Sequence, residues 1–227
     1  MNAALGRLRG PVQRAVIWAG YRGGPRLMSR LRKWWVMARN PQVRFEISEP
    51  VRFGPGFSIH APYGGTLRIG QAVEFRRGFR LELAEGYSEV SIGAGTAFTY
   101  EVVIQCGRRI DVGERCFFGQ ATMIVDGDHR FRDLDRPVGE QGYDMRPVAI
   151  ADDAWVAAKC TVMAGVGTRT VVGANSVVTR DLPAYVVAVG APARPIDYFG
   201  PPGGEPPELA DAASASSQAA RKSGASS

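Results

Sequence analysis

The sequence predicts an all-β solenoid whose short parallel strands wind into a three-sided coil, preceded by a helical extension and interrupted by one long loop. The first observation is that pairs of apolar or small residues, two positions apart, recur every six residues along the centre of the chain. The second is that glycine or another small residue often follows the second member of a pair. An α-helix would repeat at about 3.6 residues, and an ordinary strand would keep alternating. Period six therefore predicts short strands separated by turns, and three hexads close one triangular coil.

The repeat extends over most of the central region. Its pairs, in order, are Leu67/Ile69, Val73/Phe75, Phe79/Leu81, Val90/Ile92, Thr96/Phe98, Val102/Ile104, Ile110/Val112, Cys116/Phe118, Thr122/Ile124, Val148/Ile150, Ala154/Val156, Cys160/Val162, Thr170/Val172 and Ser176/Val178. So many hexads in phase disfavour the alternative, an all-β sandwich with regularly spaced strands. Between Val162 and Val178 the spacing is 16 residues where three hexads need 18, so the coil around GVGTRTVVG must be shortened.

Several segments of the repeat carry a family resemblance. IGAGTAF, VGERCFFGQATMI, IADDAWVAAKCTVMAGV, VVGANSVVTRDLP and VAVGAPARPI resemble the hexapeptide-repeat acyltransferases, above all the sugar and xenobiotic O-acetyltransferases. The resemblance covers roughly residues 51–196 and is most specific from Ile110 to Ile196. It implies a left-handed parallel β-helix at 51–196, a homotrimer, and a groove for coenzyme A between coils of neighbouring subunits. Acetyl-CoA or another acyl-CoA would be the co-substrate.

The region before the repeat is predicted to be a basic, partly helical extension over residues 1–50. Residues 1–40 contain nine basic residues and no acid, whereas the rest of the chain has 19 basic and 22 acidic residues, a net charge of −3. The spacing predicts a helix over 25–39 with two faces. Its apolar face would consist of Leu27, Met28, Leu31, Trp34 and Trp35, and its polar face of Arg26, Arg30, Arg32, Lys33 and Arg39.

Two uses of this helix remain open. Because an uncapped β-helix end exposes its core and its strand edges, the apolar face is expected first of all to cap the first coil. The alternative is peripheral contact with an anionic membrane, where tryptophans lie at the headgroups and cations meet anionic lipid. Nucleic-acid binding is not expected, because the arm contains no recognisable binding module.

Composition limits the remaining possibilities. Residues 197–227 are rich in Pro, Ala and Ser and are predicted to be disordered. No run of 18 apolar residues exists, so no transmembrane helix is expected. The three cysteines have no metal-ligand spacing, and an odd number argues against a disulfide framework. These features predict a cytoplasmic protein, with the inner membrane face as the alternative location.

The repeat is interrupted at 125–147 by the charged segment VDGDHRFRDLDRPVGEQGYDMRP. A loop of this length in a compact domain is either disordered or functional, and its aromatic residues and prolines favour an ordered loop. Transfer of an acyl group from a thioester to a hydroxyl needs a base, and imidazole, with an unperturbed pKa of about 6.5, suits that role. The resemblance implies that His129 is this base. Asp126, Asp128 or a backbone group would orient its ring.

Further site residues follow from the resemblance alone. Trp155 would line the acceptor and pantetheine channel. Thr99, followed by Tyr100 and Glu101, would stand where relatives have an acceptor-binding asparagine. The residues that would contact coenzyme A are Trp155, Ala157, Ala158, Ala174, Thr179, Arg180 and Arg194. The other histidine, His60, is expected to have a structural or surface role. Two histidines cannot provide the three zinc ligands of the γ-class carbonic anhydrases, so no metal site is predicted.

The sequence thus predicts an acyl-CoA-dependent O-acyltransferase that acts on a hydroxyl of a carbohydrate, polysaccharide or glycolipid, with acetyl as the default acyl group. Two alternatives remain. One is a non-catalytic trimeric β-helix scaffold in which the loop is a binding surface, and the other is an N-acyltransferase acting on an amino sugar.

Overall fold

The computed structural model describes residues 23–207 and 209. The chain passes repeatedly through three sheets of mainly parallel strands, A, B and C, which form the three faces of a triangular prism. Sheet A contains β1 Val43–Ile47, β4 Gly65–Ile69, β7 Glu89–Ile92, β10 Arg109–Val112 and β15 Val148–Ile150. Sheet B contains β2 Arg52–Phe53, β5 Glu74–Phe75, β8 Ala97–Phe98, β11 Phe117–Phe118, β16 Trp155–Val156, β18 Val171–Val172, β20 Val186–Gly190 and β21 Ala193–Tyr198.

Sheet C contains β3 Ser58–His60, β6 Arg80–Leu83, β9 Val103–Cys106, β12 Met123–Val125, β17 Thr161–Val162 and β19 Val177–Val178. Two more strands, β13 Gly127–His129 and β14 Tyr143–Met145, form an antiparallel ribbon outside the prism, and a short 3₁₀ helix spans Val138–Glu140. One α-helix, α1 Gly23–Arg39, precedes the prism. The predicted all-β, left-handed parallel β-helix with a helical extension and a long loop is confirmed.

The hexad pairs point into the prism, as the period predicts. Adjacent strands pair in register, for example Leu67 with Val90 and Ile69 with Ile92, so inward residues stack on their equivalents in the next coil. Phenylalanines continue this stacking on sheet B, where the ring centroids of Phe98 and Phe118 lie 4.8 Å apart. Because inward residues are almost fully buried, each coil gains its hydrophobic stabilisation from the coils beside it.

The small polar members of the pairs are buried and hydrogen-bonded. The hydroxyl of Thr96 donates to the carbonyl of Gly113 at 2.9 Å, and that of Thr122 donates to the carbonyl of Ala157 at 3.0 Å. Each bond joins one coil to the next, which removes the penalty of burying a hydroxyl. The predicted shortening near GVGTRTVVG is visible on sheet A, where Val166 forms only isolated bridges to Ile150 and Leu182.

Helix α1 lies against the first coil with the face opposite to the expected one. Ser29 and Val36 are buried; the Ser29 hydroxyl accepts a hydrogen bond from the amide of Phe53 at 2.8 Å. The prediction that the apolar face caps the coil is therefore wrong. That face is exposed, and it consists of Leu27, Met28, Leu31, Trp34 and Trp35. The reason is that the coil offers backbone polar groups and a carboxylate at this point: Arg32 donates to the carbonyl of Phe53, and Lys33 pairs with Glu49.

The two ends of the prism differ from the simple repeat. Strand β1 lies within the 1–50 region assigned to the extension, yet it pairs in parallel with β4 as part of sheet A. At the other end, β21 pairs antiparallel with β20. Residues 1–22, 208 and 210–227, including most of the predicted disordered tail, lie outside the described part of the chain. Among the described residues, no helix is long and apolar enough to cross a membrane.

Candidate active site

His129 lies on the ribbon that leaves the prism between sheets C and A, which we call the C–A edge. The ribbon begins immediately after β12 and returns to β15. Within it His129 pairs with Tyr143, and their ring centroids lie 4.3 Å apart at 46°. Because both flanking strands are fixed in the prism, the exposed imidazole is held on a short, hydrogen-bonded element.

Asp126 anchors the base of this ribbon. Its buried carboxylate accepts hydrogen bonds from the backbone amides of Gly107, Arg108 and Arg109, at 2.6, 2.7 and 2.7 Å. It thereby fixes the turn of the preceding coil beside the ribbon. Burial, together with the neighbouring Asp126 carboxylate, raises the pKa of the Cys106 thiol far above its usual range, so this cysteine is a packing residue.

Neither predicted orienting carboxylate is bonded to the ring of His129 in the described part of the chain. The Asp126 oxygens are occupied by the turn, and Asp128 accepts from the backbone amide of His129 at 2.9 Å. The ring instead packs on Tyr143. Beside it, Arg130 forms an ion pair with Asp144 at 2.6 Å, which joins the two strands of the ribbon a second time.

The outer part of the excursion, the loop at 125–147, is held together by hydrogen bonds of Gln141. Its side-chain oxygen accepts from the amide of Asp133 at 3.0 Å, while its nitrogen donates to the carbonyls of Asp133 and Arg136. Gln141 is buried although residues 131–140 of the loop are exposed. A single side chain that makes three bonds across the loop closes it into a defined shape.

A cleft of about 520 Å³ opens between the ribbon and the outer surface of sheet C. His129 and Tyr143 form one wall, and Tyr63 stands on the other. Its floor contains Glu82 and Gln105, whose side chains are joined by a hydrogen bond of 2.6 Å. An imidazole thus faces a cleft that offers aromatic rings, a carboxylate and an amide.

Four of these lining residues were not identified from the sequence: Tyr63, Glu82, Gln105 and Tyr143. The hexad repeat contained a signal for two of them. Glu82 and Gln105 directly follow the inward residues Leu81 and Ile104 and stand in register on neighbouring strands. Outward positions of sheet C in the coils before the excursion were therefore candidates for the floor of a cleft beside it.

Three of the seven predicted coenzyme-contact residues, Ala157, Ala158 and Ala174, lie on a different edge, the B–C edge, between sheets B and C. The amides of Thr99, Gly119, Ala157 and Gly173 each donate to the next coil from equivalent positions, so these residues form one line along the prism. Ala158 and Ala174 come directly after Ala157 and Gly173 in the sequence and lie next to that line. A Cβ added to Gly119 would lie 2.4 Å from the amide nitrogen of Ala158, so the line is closely packed at this point. The result is a strip of small side chains beside the half-exposed Trp155.

Thr99 has an unusual position within this strip. Its side chain is buried, and its hydroxyl oxygen has no hydrogen-bond partner among the described residues. Glu101, two residues further along the chain, has a φ of 60° in the left-handed region and is exposed. A buried hydroxyl without a partner has lost its hydrogen bonds to water without replacement, which costs free energy.

The remaining predicted residues lie elsewhere. Thr179 and Arg180 are exposed on the C–A edge, on the strand line that includes β12, β17 and β19. Two coil steps separate them from the base of the His129 ribbon, roughly 10 Å along the prism. Arg194 is exposed on β21.

The structure therefore divides the predicted site between two edges of one chain. His129, Thr179 and Arg180 are on the C–A edge, whereas Thr99 is on the B–C edge and Trp155 is on β16 of sheet B beside it. The width of sheet C separates them. Within the described residues, no group of three or more His, Cys, Asp or Glu side chains could hold a metal ion.

Known proteins with similar sequences include acetyltransferases, in agreement with the resemblance found in the repeat. A protein of Mycobacterium tuberculosis named as a probable acetyltransferase is 30% identical over 171 residues, which cover 71% of this chain and 56% of that protein. The galactoside O-acetyltransferase of Escherichia coli is 29% identical over 140 residues, which cover 61% of this chain and 57% of the enzyme. The chain thus spans little more than half the length of these curated relatives. No family model matches it.

The fold comparison agrees. The structure of a hexapeptide-repeat-containing acetyltransferase from Vibrio cholerae O1 biovar eltor, complexed with acetyl coenzyme A, matches with a TM-score of 0.52 and 20% identity. The match covers 88% of this chain and 91% of that one. At this identity the similarity is one of fold. Taken together, the hexad repeat and the shared solenoid show the left-handed β-helix of the hexapeptide-repeat transferases, and the similar sequences are those of acetyltransferases.

Proposed function

We propose that this protein is an acyl-CoA-dependent O-acyltransferase, with acetyl as the default acyl group, and that His129 is its general base. The observation that carries the proposal is the position of His129 on a ribbon anchored by Asp126, with its ring facing a cleft. A surface histidine without function would not need this support. Similarity to acetyltransferases over 71% of the chain points to the same chemistry.

The reaction assigns two successive proton transfers to this residue. An acceptor hydroxyl in the cleft gives its proton to a ring nitrogen of His129 while its oxygen forms a bond to the thioester carbonyl carbon. The carbon–sulfur bond then breaks, and the proton moves from the imidazolium to the leaving thiolate. The products are an ester and the free thiol of coenzyme A, and His129 returns to its initial state.

The division of the site between two edges supports a trimer. If the strip beside Trp155 holds the pantetheine arm, it must approach His129, but in one chain it lies across sheet C from it. When three prisms stand side by side, the B–C edge of one protomer can face the C–A edge of its neighbour. Each cleft would then be composed of two chains, and a monomer would have no complete site.

The size and charge of the side chains present suit the proposed contacts with coenzyme A. The small residues Ala157, Ala158 and Ala174 leave room for an extended thioester arm along the strip. Thr99, predicted as an acceptor-binding residue, lies in the same strip, and its buried hydroxyl has no partner among the described residues. Arg180 and Arg194 are exposed and would bind phosphates, since guanidinium groups match the geometry of phosphate oxygens.

The cleft near His129 favours a carbohydrate or the sugar part of a glycolipid as the acceptor. Glu82 and Gln105 provide acceptors and donors for hydroxyls, and Tyr63 and Tyr143 provide flat apolar faces. Sugar rings present such hydroxyls at their edges and C–H groups on their faces. Glu101 and Trp155 of the neighbouring protomer would complete the pocket.

The test is an assay of thiol release with acetyl-CoA and a panel of sugars. We expect His129→Ala to reduce turnover about 10²–10⁴-fold, as for the loss of a general base. The matched control is His60→Ala, because His60 is the other histidine of the chain and is exposed outside the cleft. If His129→Ala kept more than a third of the wild-type rate, its assignment as the base would be wrong.

Products of the same assay separate the alternatives. An O-acylated product is an ester and is cleaved by hydroxylamine, whereas an N-acylated amino sugar is an amide and survives this treatment. Resistant product formed only with amino sugars would establish the N-acyltransferase instead. Absence of thiol release above the His129→Ala level with every acceptor, although the protein binds acetyl-CoA, would favour the non-catalytic scaffold.

A further inference from the structure

The exposed side of helix α1 has no role in the proposed reaction. Trp34 is 73% exposed, Trp35 60%, Leu27 57% and Leu31 55%. Met28 adds a further exposed apolar side chain beside them. We call the five residues the apolar stripe. Contiguous apolar surface of this kind, including two tryptophans, usually marks an interaction site.

The helix is held so that the stripe points away from the solenoid. At about 100° per residue, Ser29 and Val36 share one face, and Leu31 and Trp34 lie nearly opposite. The inner face is fixed by the bond from Phe53 to Ser29 and by the bond from Arg32 to the carbonyl of Phe53. The exposure of the stripe is therefore a consequence of specific contacts on the other face.

The charges beside the stripe have a single sign. Arg30 and Arg39 lie on its two flanks and are exposed, and the guanidinium of Arg39 stands 5.4 Å from the centre of the Trp35 ring. Lys33 is also positive, but its charge is paired with Glu49 on the inner side of the helix. Residues 1–40 contain nine basic residues and no acid. The surface thus combines apolar side chains with positive charge on both sides.

We propose that helix α1 docks this protein on an anionic phospholipid bilayer, with its axis in the plane of the interface. The apolar stripe would enter the boundary between headgroups and acyl chains, where tryptophan side chains are favoured. Arg30 and Arg39 would extend to the phosphates, because a long cationic side chain can keep its charge at the headgroups while its stem lies in apolar surroundings. Each cation near the surface adds about 1 kcal/mol to binding.

The same charges argue against a second copy of this chain as the occupant. Two stripes packed face to face would bring the flanking arginines of both helices together, and the helix itself contains no acid. Such like-charge contacts are unfavourable at an interface. A bilayer containing anionic lipid offers the opposite charge and an apolar layer at the same time.

The experiment is co-sedimentation of the full chain with vesicles of phosphatidylglycerol and phosphatidylcholine, compared with phosphatidylcholine alone. We expect wild-type protein to bind the anionic vesicles at low salt, with a partition coefficient at least tenfold higher than for neutral vesicles. The double variant Trp34→Ala/Trp35→Ala should lose at least tenfold in binding. Arg30→Glu/Arg39→Glu should lose the preference for anionic lipid.

The matched control is Tyr87→Ala, which removes an aromatic side chain of 66% exposure from the solenoid and should bind as wild type does. The light-scattering mass of the tryptophan double variant should equal that of the wild type. The proposal is overturned by wild-type protein that ignores anionic vesicles, by a tryptophan double variant that binds as strongly as wild type, or by a mass that falls in this variant. The last result would identify the stripe as an interface between copies.

Discussion

His129 and Tyr143 are directly opposed on the two strands of the antiparallel ribbon, with ring centroids 4.3 Å apart. Asp126 accepts hydrogen bonds from three backbone amides and the Cys106 thiol, and Asp128 accepts one from the His129 amide, so neither carboxylate is bonded to the ring. The described side chain that fixes the position of the imidazole is therefore an aromatic ring. This contact could not be read from the sequence, because 14 positions separate the two residues.

The first prediction concerns Tyr143 as a positioning residue and rests on the proposed function. Since its ring supports the imidazole, Tyr143→Ala should lower kcat about tenfold with little change in the KM for acetyl-CoA. Tyr143→Phe keeps the ring and should retain most of the wild-type kcat. Phe131→Ala is the control, because it removes an exposed aromatic residue from the same loop. Equal losses in the Phe and Ala variants would contradict a role of the ring.

The second prediction distinguishes the two aspartates by stability. Asp126→Ala removes the acceptor of three backbone amides in a buried turn, and each unsatisfied donor costs about 1–3 kcal/mol. With partial relaxation, a total loss of about 3 kcal/mol lowers Tm by roughly 6–12 °C for a chain of this size. Asp128→Ala removes one exposed bond and should shift Tm by less than about 2 °C. Thermal unfolding followed by circular dichroism measures both, and similar Tm values for the two variants would show that the Asp126 turn is dispensable.

The third prediction is a decline in stability at alkaline pH. Burial raises the pKa of the Cys116 thiol to about 11, from an ordinary value of 9.0. Between these pH values the unfolded thiol loses its proton while the folded thiol keeps it, so unfolding releases a proton and becomes more favourable as pH rises. The contribution is fully present below pH 9 and is lost between pH 9 and 11, at up to about 1.4 kcal/mol per pH unit.

The comparison for this third prediction is Cys116→Ala. Urea unfolding at pH 8, 9, 10 and 11 should show a shallower decline in this variant than in wild type, because other alkaline titrations are common to both. Parallel declines in the two proteins would mean that Cys116 ionises equally in the folded and unfolded states.

The fourth prediction concerns the orientation of helix α1. Val36 is 5% exposed and Leu31 is 55% exposed. Val36→Ala should therefore destabilise the protein by about 2 kcal/mol, whereas Leu31→Ala should change the free energy of unfolding by less than about 0.5 kcal/mol. Denaturant unfolding of the two variants measures this difference. The reverse order would place the apolar stripe against the solenoid, as the sequence alone had suggested.

The hexad pairs explain why the prism was predictable. The burial of each pair can be inferred from its spacing. Leu67 and Ile69 must point to the same side because they are two positions apart on a short strand, and the same spacing recurs in the next coil. The excursion at 125–147 was visible because it breaks that rule. His129 was noticed because the resemblance gave that break a chemical meaning.

The floor of the cleft was not predictable in the same way. Tyr63 and Tyr143 come from distant parts of the chain, and neither belongs to a hexad pair. Glu82 and Gln105 had a periodic position, but an outward polar residue on a solenoid is ordinary until a neighbouring element covers it. The ribbon supplies that cover, and its path is determined by the bonds of Asp126 and Gln141.

The sequence by itself determined the period, the inward residues and the presence of an amphipathic helix, because these depend on neighbours within a few positions along the chain. Tertiary structure alone decided which face of that helix is buried. The hydrophobic pattern favoured the face of Trp34 and Trp35, but the first coil presents the backbone of Phe53 and the carboxylate of Glu49, which bind Ser29, Arg32 and Lys33. Groups 16 to 24 positions away in the sequence thus determine which face of the helix is buried, and a local pattern contains no information about them.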